Sequence, residues 1–359
     1  MTLMTRALSR KRRAIFALAA VTIAFALSFL VLLSIDIFLH GRFEKSAGFN
    51  IWGYRGPAVP KKKQGEYRVV VLGGSSAYGY GVTWDRAMPA ALERKLDEVT
   101  VPRKRFTVIN LGYNNEGAYS FAPTLQDYLW LRYDLACLYE GYNDVMGDPR
   151  SPNLSVFRHE SPVFRLTGYL PIFPMIFKEK AAAILHGGDI GAAYHDSKTV
   201  FRPGLAARAT AGALNAAAGI GASFERQLGR VSVEAHHEIT DVASTGCKYP
   251  WQEYCRSMLV AIEFALQHNT QVLIVTQPYD SRTTYVNLRH REQQREMAAM
   301  LSRRFAGDPR VRYLNFGERV DLTNPALSFD RMHLTADGNE RLAGGLVQPV
   351  LEMADGRQP

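Results

Sequence analysis

The chain has little of the chemistry that marks a metal or redox protein. Only three of its 359 residues are cysteines, and none forms a CxxC pair or stands near histidine at a spacing typical of zinc. His236 and His237, followed by Glu238, make a poor ligand set, because neighbouring side chains point apart on a helix and to opposite faces on a strand. We therefore expect no metal site.

Three common signatures are also absent from the glycine-rich stretch at 73–81. A P-loop needs lysine after its second glycine, but Tyr80 follows Gly79. The dinucleotide fingerprint fails because Val-Thr-Trp follows the Gly-Tyr-Gly sequence at 79–81. The α/β-hydrolase elbow needs glycine two residues after its serine, where Ala77 or Tyr78 stands. We expect neither a nucleotide nor any other cofactor.

The excess of basic over acidic residues does not indicate a nucleic-acid partner. The net charge is +9, but much of it lies in a cluster at 6–13 and a lysine run at 61–63, neither interleaved with aromatic residues. Such clusters are typical of a solvated or membrane-facing surface. The chain is 47% hydrophobic, too apolar for disorder and sufficient for one large α/β domain or a domain with an insertion.

No charged residue occurs between Ala14 and Ile35. As a helix this run would be about 33 Å long, enough to cross a bilayer core. Five basic residues precede it and predict a cytoplasmic N-terminus with the rest of the chain outside, which is the periplasm if the cell is Gram-negative. Small residues at 24 and 26 would suit a cleaved signal peptide, but the apolar run continues past them, so we favour an uncleaved anchor.

An exported compartment permits a disulfide bond. Cys247 and Cys255 can pair there, closing a short loop that would contribute about 2–3 kcal/mol to stability. Cys137 lies in the apolar run at 135–138, so we expect it to be a buried small residue.

Beyond the anchor, apolar runs alternate with helical patterns, which predicts an α/β fold with a parallel sheet. We predict a basic tail at 1–13, a membrane span at 14–35, a linker at 36–66 that packs down at Trp52 and Tyr54, and a domain at 67–359. Strands are predicted at 68–73, 106–111, 135–139, 271–276 and 311–315, and helices at 89–99, 123–133, 254–268, 288–305 and over the segment with Leu342 and Leu346.

This alternation breaks in an insertion at about 146–250. Its aromatic, proline-rich segment at 169–177 is too short to span a membrane. We expect it to pack on the core or cover the site, and consider contact with the outer membrane surface second. The Ala/Gly-rich piece at 187–221 is expected to be mobile or loosely helical.

Three predicted strands end in glycine and polar side chains, at 73–76, 112–120 and 140–144. Because the carboxyl ends of parallel strands meet at one edge of a sheet, we expect a site there. Ser75 is the candidate nucleophile and needs a histidine to take its proton. His333 is the best-placed base, and Asp330 would orient its imidazole. Backbone N–H groups of Ser75 and Gly117, with the side-chain amide of Asn143, would form an oxyanion hole.

This pattern resembles the four blocks of the SGNH (GDSL-type) hydrolases, which carry Ser, Gly, Asn and His in that order. The Gly-Gly-Ser sequence at 73–75 resembles the first block and Gly117 the second. Gly-Tyr-Asn-Asp at 141–144 resembles the third, and Asp-Arg-Met-His at 330–333 the last. The resemblance covers roughly 68–144 and 254–353. It implies a flavodoxin-like, doubly wound parallel sheet, no metal, and cleavage or transfer of acyl esters.

Two positions depart from the family pattern. Gly74 stands where the family usually has aspartate before the serine. Extra residues separate Gly112 from Gly117, so either glycine could be the oxyanion donor; we favour Gly117 because Ala-Tyr-Ser follows it before the helix. Ser76 is the alternative nucleophile.

The leading hypothesis is a membrane-anchored, outward-facing serine esterase that removes an acyl group, such as acetyl, from an envelope polysaccharide or lipid through an acyl-enzyme. One alternative is an O-acyltransferase with the same triad, in which a sugar hydroxyl replaces water. The other is a non-catalytic binding or scaffold protein, against which the intact set of Ser75, Asn143, Asp330 and His333 argues. No nucleic-acid partner is expected, because the domain would face away from the cytoplasm.

Overall fold

The computed structural model describes residues 10–42, 48–99, 104–146, 158–159, 161–176, 245–280 and 284–356. The chain divides into two compact units, Met1–Arg42 with Pro171–Ala218, and Phe43–Leu170 with Gly219–Pro359. The predicted features at 187–221 and 236–238 lie outside the described residues. The predicted domain boundaries stay a prediction.

The first unit is built on helix α1, Arg10–His40. Lys11–His40 has a mean hydropathy of 2.7 in its most apolar window and is long and apolar enough to cross a membrane. Near the end of α1, the buried carboxylate of Asp36 accepts the N–H groups of Ile172 at 2.9 Å and Phe173 at 2.6 Å. Ile172 and Phe173 are therefore held through their backbone on the last turns of α1.

The second unit holds a five-stranded parallel sheet in the order β2-β1-β3-β4-β5. This is the flavodoxin-like doubly wound order, so the predicted fold class is confirmed. The strands are β1 Glu66–Leu72, β2 Arg105–Asn110, β3 Leu135–Glu140, β4 Gln271–Thr276 and β5 Val311–Leu314. The aliphatic residues of β1 to β4 are buried because helices cover both faces of the sheet, whereas the edge strand β5 is only half-buried.

The helices of this unit pack as two layers. They are α2 Ser75–Tyr78, α3 Met88–Val99, α4 Phe121–Asp127, α5 Tyr142–Met146, α6 Pro162–Thr167, α7 Gln252–Gln267, α8 Tyr285–Arg304 and α9 Ala336–Ala354. Helices α3 and α9 contact each other and form one core, in which Leu92, Leu342 and Leu346 are fully buried. Helix α7 packs on α4 and β4.

One predicted helix, 123–133, is wrong in extent. Helix α4 ends at Asp127, and a separate 3-10 turn covers Leu129–Leu131. Arg132 then adopts a left-handed backbone conformation with φ of 54°, which turns the chain into β3.

The cysteine predictions agree with the structure. Cys247 and Cys255 form a disulfide bond beside the start of α7. Cys137 is fully buried, and burial raises the pKa of its thiol to about 12. The segment before β1 also packs down as predicted, with Tyr54 edge-on to Tyr128 at 6.0 Å.

Candidate active site

The chain leaves β1 through two glycines, Gly73 and Gly74, whose lack of a side chain allows close contacts. Gly73 has φ of 155°, and a Cβ there would overlap the carbonyl oxygen of Tyr139 at the end of β3. A Cβ at Gly74 would overlap the side-chain amide nitrogen of Asn143. The first residue of α2, Ser75, is therefore placed against the carboxyl end of β3.

Ser75, His333 and Asp330 form one hydrogen-bonded line. Ser75 Oγ lies 2.8 Å from His333 Nε2, and His333 Nδ1 lies 2.6 Å from Asp330 Oδ2. Because Nδ1–H is donated to the carboxylate, Nε2 presents its lone pair to the serine hydroxyl. The structure thus brings together the three residues predicted as nucleophile, base and orienting acid.

A tight turn holds Asp330 against His333. Asp330 Oδ1 accepts the backbone N–H of His333 at 2.6 Å and that of Met332 at 3.0 Å. Burial would raise the pKa of Asp330, but the hydrogen bonds from the His333 ring and backbone outweigh it and lower that pKa below its usual value. The carboxylate is therefore ionised at neutral pH and can stabilise an imidazolium.

Two aromatic rings flank the imidazole. The ring of Tyr80 lies 4.8 Å from that of His333, and Phe329 stacks on its plane at 5.8 Å. Both rings remain open to solvent, with 49% of Tyr80 and 43% of Phe329 exposed. They fix the ring of the base and present apolar surface beside it.

Three donors converge near the serine. The backbone N–H groups of Ser75 and Gly117 have no acceptor within the described part of the chain. Asn143 Nδ2 donates to the carbonyl of Glu116 at 2.7 Å, which uses one of its two hydrogens. Since Asn143 touches Gly74 and Glu116 precedes Gly117, the three donors belong to neighbouring loops.

The structure also separates the alternatives that the sequence leaves open. The Gly112 N–H is engaged, donating to Asn110 Oδ1 at 3.0 Å, so Gly117 carries the open amide. Ser76 is buried inside α2, while Nε2 of His333 is bonded to Ser75.

Asp144 is a half-buried residue whose role the sequence did not reveal. Its carboxylate accepts the Ala118 N–H with both oxygens, at 3.2 and 3.1 Å. A Cβ at Gly117 would lie 2.6 Å from Asp144 Oδ1, so the glycine lets this carboxylate approach. Burial raises the pKa of Asp144 to about 7, although the hydrogen bond from Ala118 opposes the shift. Its position directly after Asn143 was the available signal.

Arg158, in the unassigned insertion, supports the same loop. It is buried and donates to the carbonyls of Leu111 at 2.7 Å and Gly53 at 3.1 Å. Its guanidinium also lies 3.8 Å from the buried carboxylate of Glu116. The residue before Gly117 is thus held at its side chain by Arg158 and at its carbonyl by Asn143.

His290 explains the glycine of the third block. A Cβ at Gly141 would overlap the His290 ring, which stacks on Tyr142 at 4.5 Å. Burial lowers the pKa of His290 despite hydrogen bonds with the Gln277 carbonyl and the Gln293 side chain, so it is neutral at physiological pH. It is a packing group beneath the site.

No group of three metal-ligating side chains occurs among the described residues. No protein-family model and no curated protein matches the chain.

Solved structures similar to this chain include three proteins at low identity. A member of the lipolytic protein G-D-S-L family from Veillonella parvula is 12% identical over 79% of this chain and 97% of its own, with a TM-score of 0.40. A lipase/acylhydrolase from Enterococcus faecalis is 12% identical over 82% and 100%, with a TM-score of 0.42. A family 3 carbohydrate esterase from Clostridium thermocellum is 10% identical over 81% and 98%, also with a TM-score of 0.42. Likeness at these values carries no functional conclusion, so the function is inferred from the site itself.

Replacing Asp144 with asparagine should change how stability depends on pH. Between about pH 4 and pH 7 the folded chain keeps a proton on Asp144 that the unfolded chain releases, so the free energy of unfolding falls as pH rises through this window. Asparagine cannot ionise. The variant Asp144→Asn should therefore lack this fall in the free energy of unfolding, which is on the order of a few kcal/mol in the wild type. Urea unfolding of the full chain in neutral detergent at about pH 4.5 and about pH 7.5 measures it.

The exposed Asp97 offers the control. Asp97→Asn should keep the pH dependence of the wild type. An Asp144→Asn variant with that same dependence would show that the carboxyl carries no such proton.

Proposed function

We propose that the chain is a serine esterase that removes an acyl group from an envelope glycan or lipid while anchored in the membrane. The proposal rests on one observation: Ser75, His333 and Asp330 are hydrogen-bonded in series beside three donors. These donors are the backbone N–H groups of Ser75 and Gly117 and the second hydrogen of the Asn143 amide. An activated hydroxyl with donors for a developing negative charge is the arrangement that ester cleavage requires.

The reaction follows from the geometry. Ser75 Oγ attacks the ester carbonyl carbon as His333 Nε2 takes the hydroxyl proton. The carbonyl oxygen becomes negative and is stabilised by the N–H groups of Ser75 and Gly117 and the free hydrogen of the Asn143 amide. The imidazolium, stabilised by Asp330, then protonates the leaving alcohol.

A second half-reaction completes the cycle. Water attacks the acyl-serine as His333 takes its proton, and collapse of the second oxyanion releases the acid and restores Ser75. The exposed rings of Tyr80 and Phe329 flank the base and offer a surface on which an acyl chain or a sugar ring would pack.

Two observations support the membrane and export parts of the proposal. The apolar part of α1 is exposed all round from Lys11 to Leu32, as expected for one helix in lipid. The disulfide Cys247–Cys255 fits an oxidising compartment. With the basic cluster before α1, they favour an N-terminus in the cytoplasm and the site outside.

The proposal predicts that the full chain, in neutral detergent, hydrolyses a short-chain aryl ester such as 4-nitrophenyl acetate. Ser75→Ala and His333→Ala should each lower kcat/KM by at least about 1,000-fold, because nucleophile and base act as one unit. Ser76→Ala is the matched control and should keep wild-type activity, since Ser76 is buried and apart from the base. An inert wild type, or an active Ser75→Ala variant, would contradict the proposal.

A separate prediction concerns Gly74. In Gly74→Ala the new methyl group must displace the Asn143 amide, and losing one oxyanion donor lowers kcat by about 100- to 1,000-fold. Gly344→Ala is the control: this glycine is exposed within α9 with only the Lys95 side chain, 4.0 Å away, near its added Cβ. Equal kcat values for the two variants would rule out the steric role of Gly74.

A further inference from the structure

A cleft of about 400 Å³ lies at the β5 edge of the sheet. It does not include the hydrogen-bonded residues Ser75, His333 and Asp330, which are called the serine line below. One wall is the outer face of α8, and the other comes from the ends of β4 and β5. Its lining includes Tyr279, Leu288, Arg291, Arg295, Tyr313 and Asn315.

The cleft is positively charged. Arg291 and Arg295 stand four residues apart on α8, so they share one face of the helix. A nearby carboxylate is that of Glu318, which accepts a hydrogen bond from the Tyr279 hydroxyl at 3.4 Å, and within the described chain neither arginine forms an ion pair with a carboxylate. By contrast, Arg310 and Arg312 near the same strand pair with Asp308 and Glu352. The cleft arginines are therefore available to an anion from outside.

Aromatic surface accompanies this charge. The guanidinium of Arg291 lies 5.7 Å from the centre of the Tyr279 ring. Tyr313 is half-buried, and Leu288 is 49% exposed on the same helix as the arginines. Flat apolar faces beside planar guanidinium groups suit a sugar ring that carries a carboxylate, because the ring packs on an aromatic face and the carboxylate accepts paired N–H groups.

The cleft is connected to the catalytic loop through one residue. Tyr279 is followed by the buried Asp280, whose carboxylate lies 3.7 Å from the guanidinium of Arg331. Arg331 stands between Asp330 and His333. The cleft and the serine line therefore open at the same carboxyl edge of the sheet, where one extended polymer can reach both.

We propose that this cleft binds an anionic sugar residue of the glycan whose acylated residue lies at Ser75. The inference deepens the esterase proposal and rests on it: the substrate would be a charged polysaccharide such as a polyuronate. Residues 14–359, without the five basic residues at 6–13, keep a net charge of +4, which favours approach of such a polymer.

Binding of two oligosaccharides to the full chain in neutral detergent, measured by calorimetry, tests the proposal. Hexagalacturonate carries carboxylates, and xylohexaose is a neutral pyranose chain of equal length. Wild type should bind hexagalacturonate more tightly than xylohexaose. The double variant Arg291→Ala/Arg295→Ala should bind it about 10- to 100-fold more weakly.

Arg256→Ala/Arg310→Ala is the charge-matched control. Both side chains are exposed, with ion pairs to Glu253 and Asp308, and removing them takes away the same two charges. Wild-type affinity in this control would place the effect in the cleft, and equal weakening in both double variants would overturn the proposal. Binding that depends on the cleft arginines for phosphatidylglycerol vesicles but not for hexagalacturonate would overturn it in favour of a lipid headgroup.

Failure of this inference is distinguishable from failure of the esterase proposal, because hexagalacturonate binding needs no turnover. A chain that hydrolyses aryl esters but fails to discriminate the two oligosaccharides would overturn the cleft assignment alone. A chain inert on esters that binds hexagalacturonate through Arg291 and Arg295 would overturn the esterase proposal and leave the anionic-sugar site standing.

Discussion

The close approach of Asn143 to Gly74 is the contact on which the rest of the site depends. It joins the end of β3 to the end of β1, and the hydrogen bond from Asn143 to the Glu116 carbonyl adds the loop after β2. Three neighbouring strand ends are thereby fixed relative to one another. Because Ser75 follows Gly74 directly, the same contact sets the proposed nucleophile beside the donors that would stabilise the oxyanion formed when Ser75 attacks an ester.

Charged groups with little exposure to solvent stabilise this arrangement, although burying them costs free energy. The half-buried Asp144 accepts the Ala118 N–H in the loop that carries Gly117, and the buried Arg158 lies 3.8 Å from the buried carboxylate of Glu116 in the same loop. Burying such groups is unfavourable unless each finds partners, so the loop that binds them is constrained to one geometry. That constraint is useful for a site whose donors must point at a charge that exists only in the transition state.

The three central strands β1, β3 and β4 were readable from the sequence because they contain uninterrupted apolar runs, as at 272–275, and burial on both faces leaves no polar alternation. Helix 123–133 was misjudged because the left-handed turn at Arg132 is set by the entry into β3 and leaves no local signal. The proximity of Ser75, His333 and Asp330 was predictable from residue type at strand ends. The role of Gly74 was not predictable, since it depends on contact with Asn143, which lies far away in the sequence on helix α5.

The central claim is that His333 activates Ser75. Its most direct test is covalent: incubation of the full chain with a fluorophosphonate, followed by intact-mass and peptide-mapping mass spectrometry. The account predicts a single adduct on Ser75 that disappears in His333→Ala, because an unactivated serine does not react with such reagents at a comparable rate. An adduct on Ser76, or labelling of Ser75 that persists without His333, would contradict it.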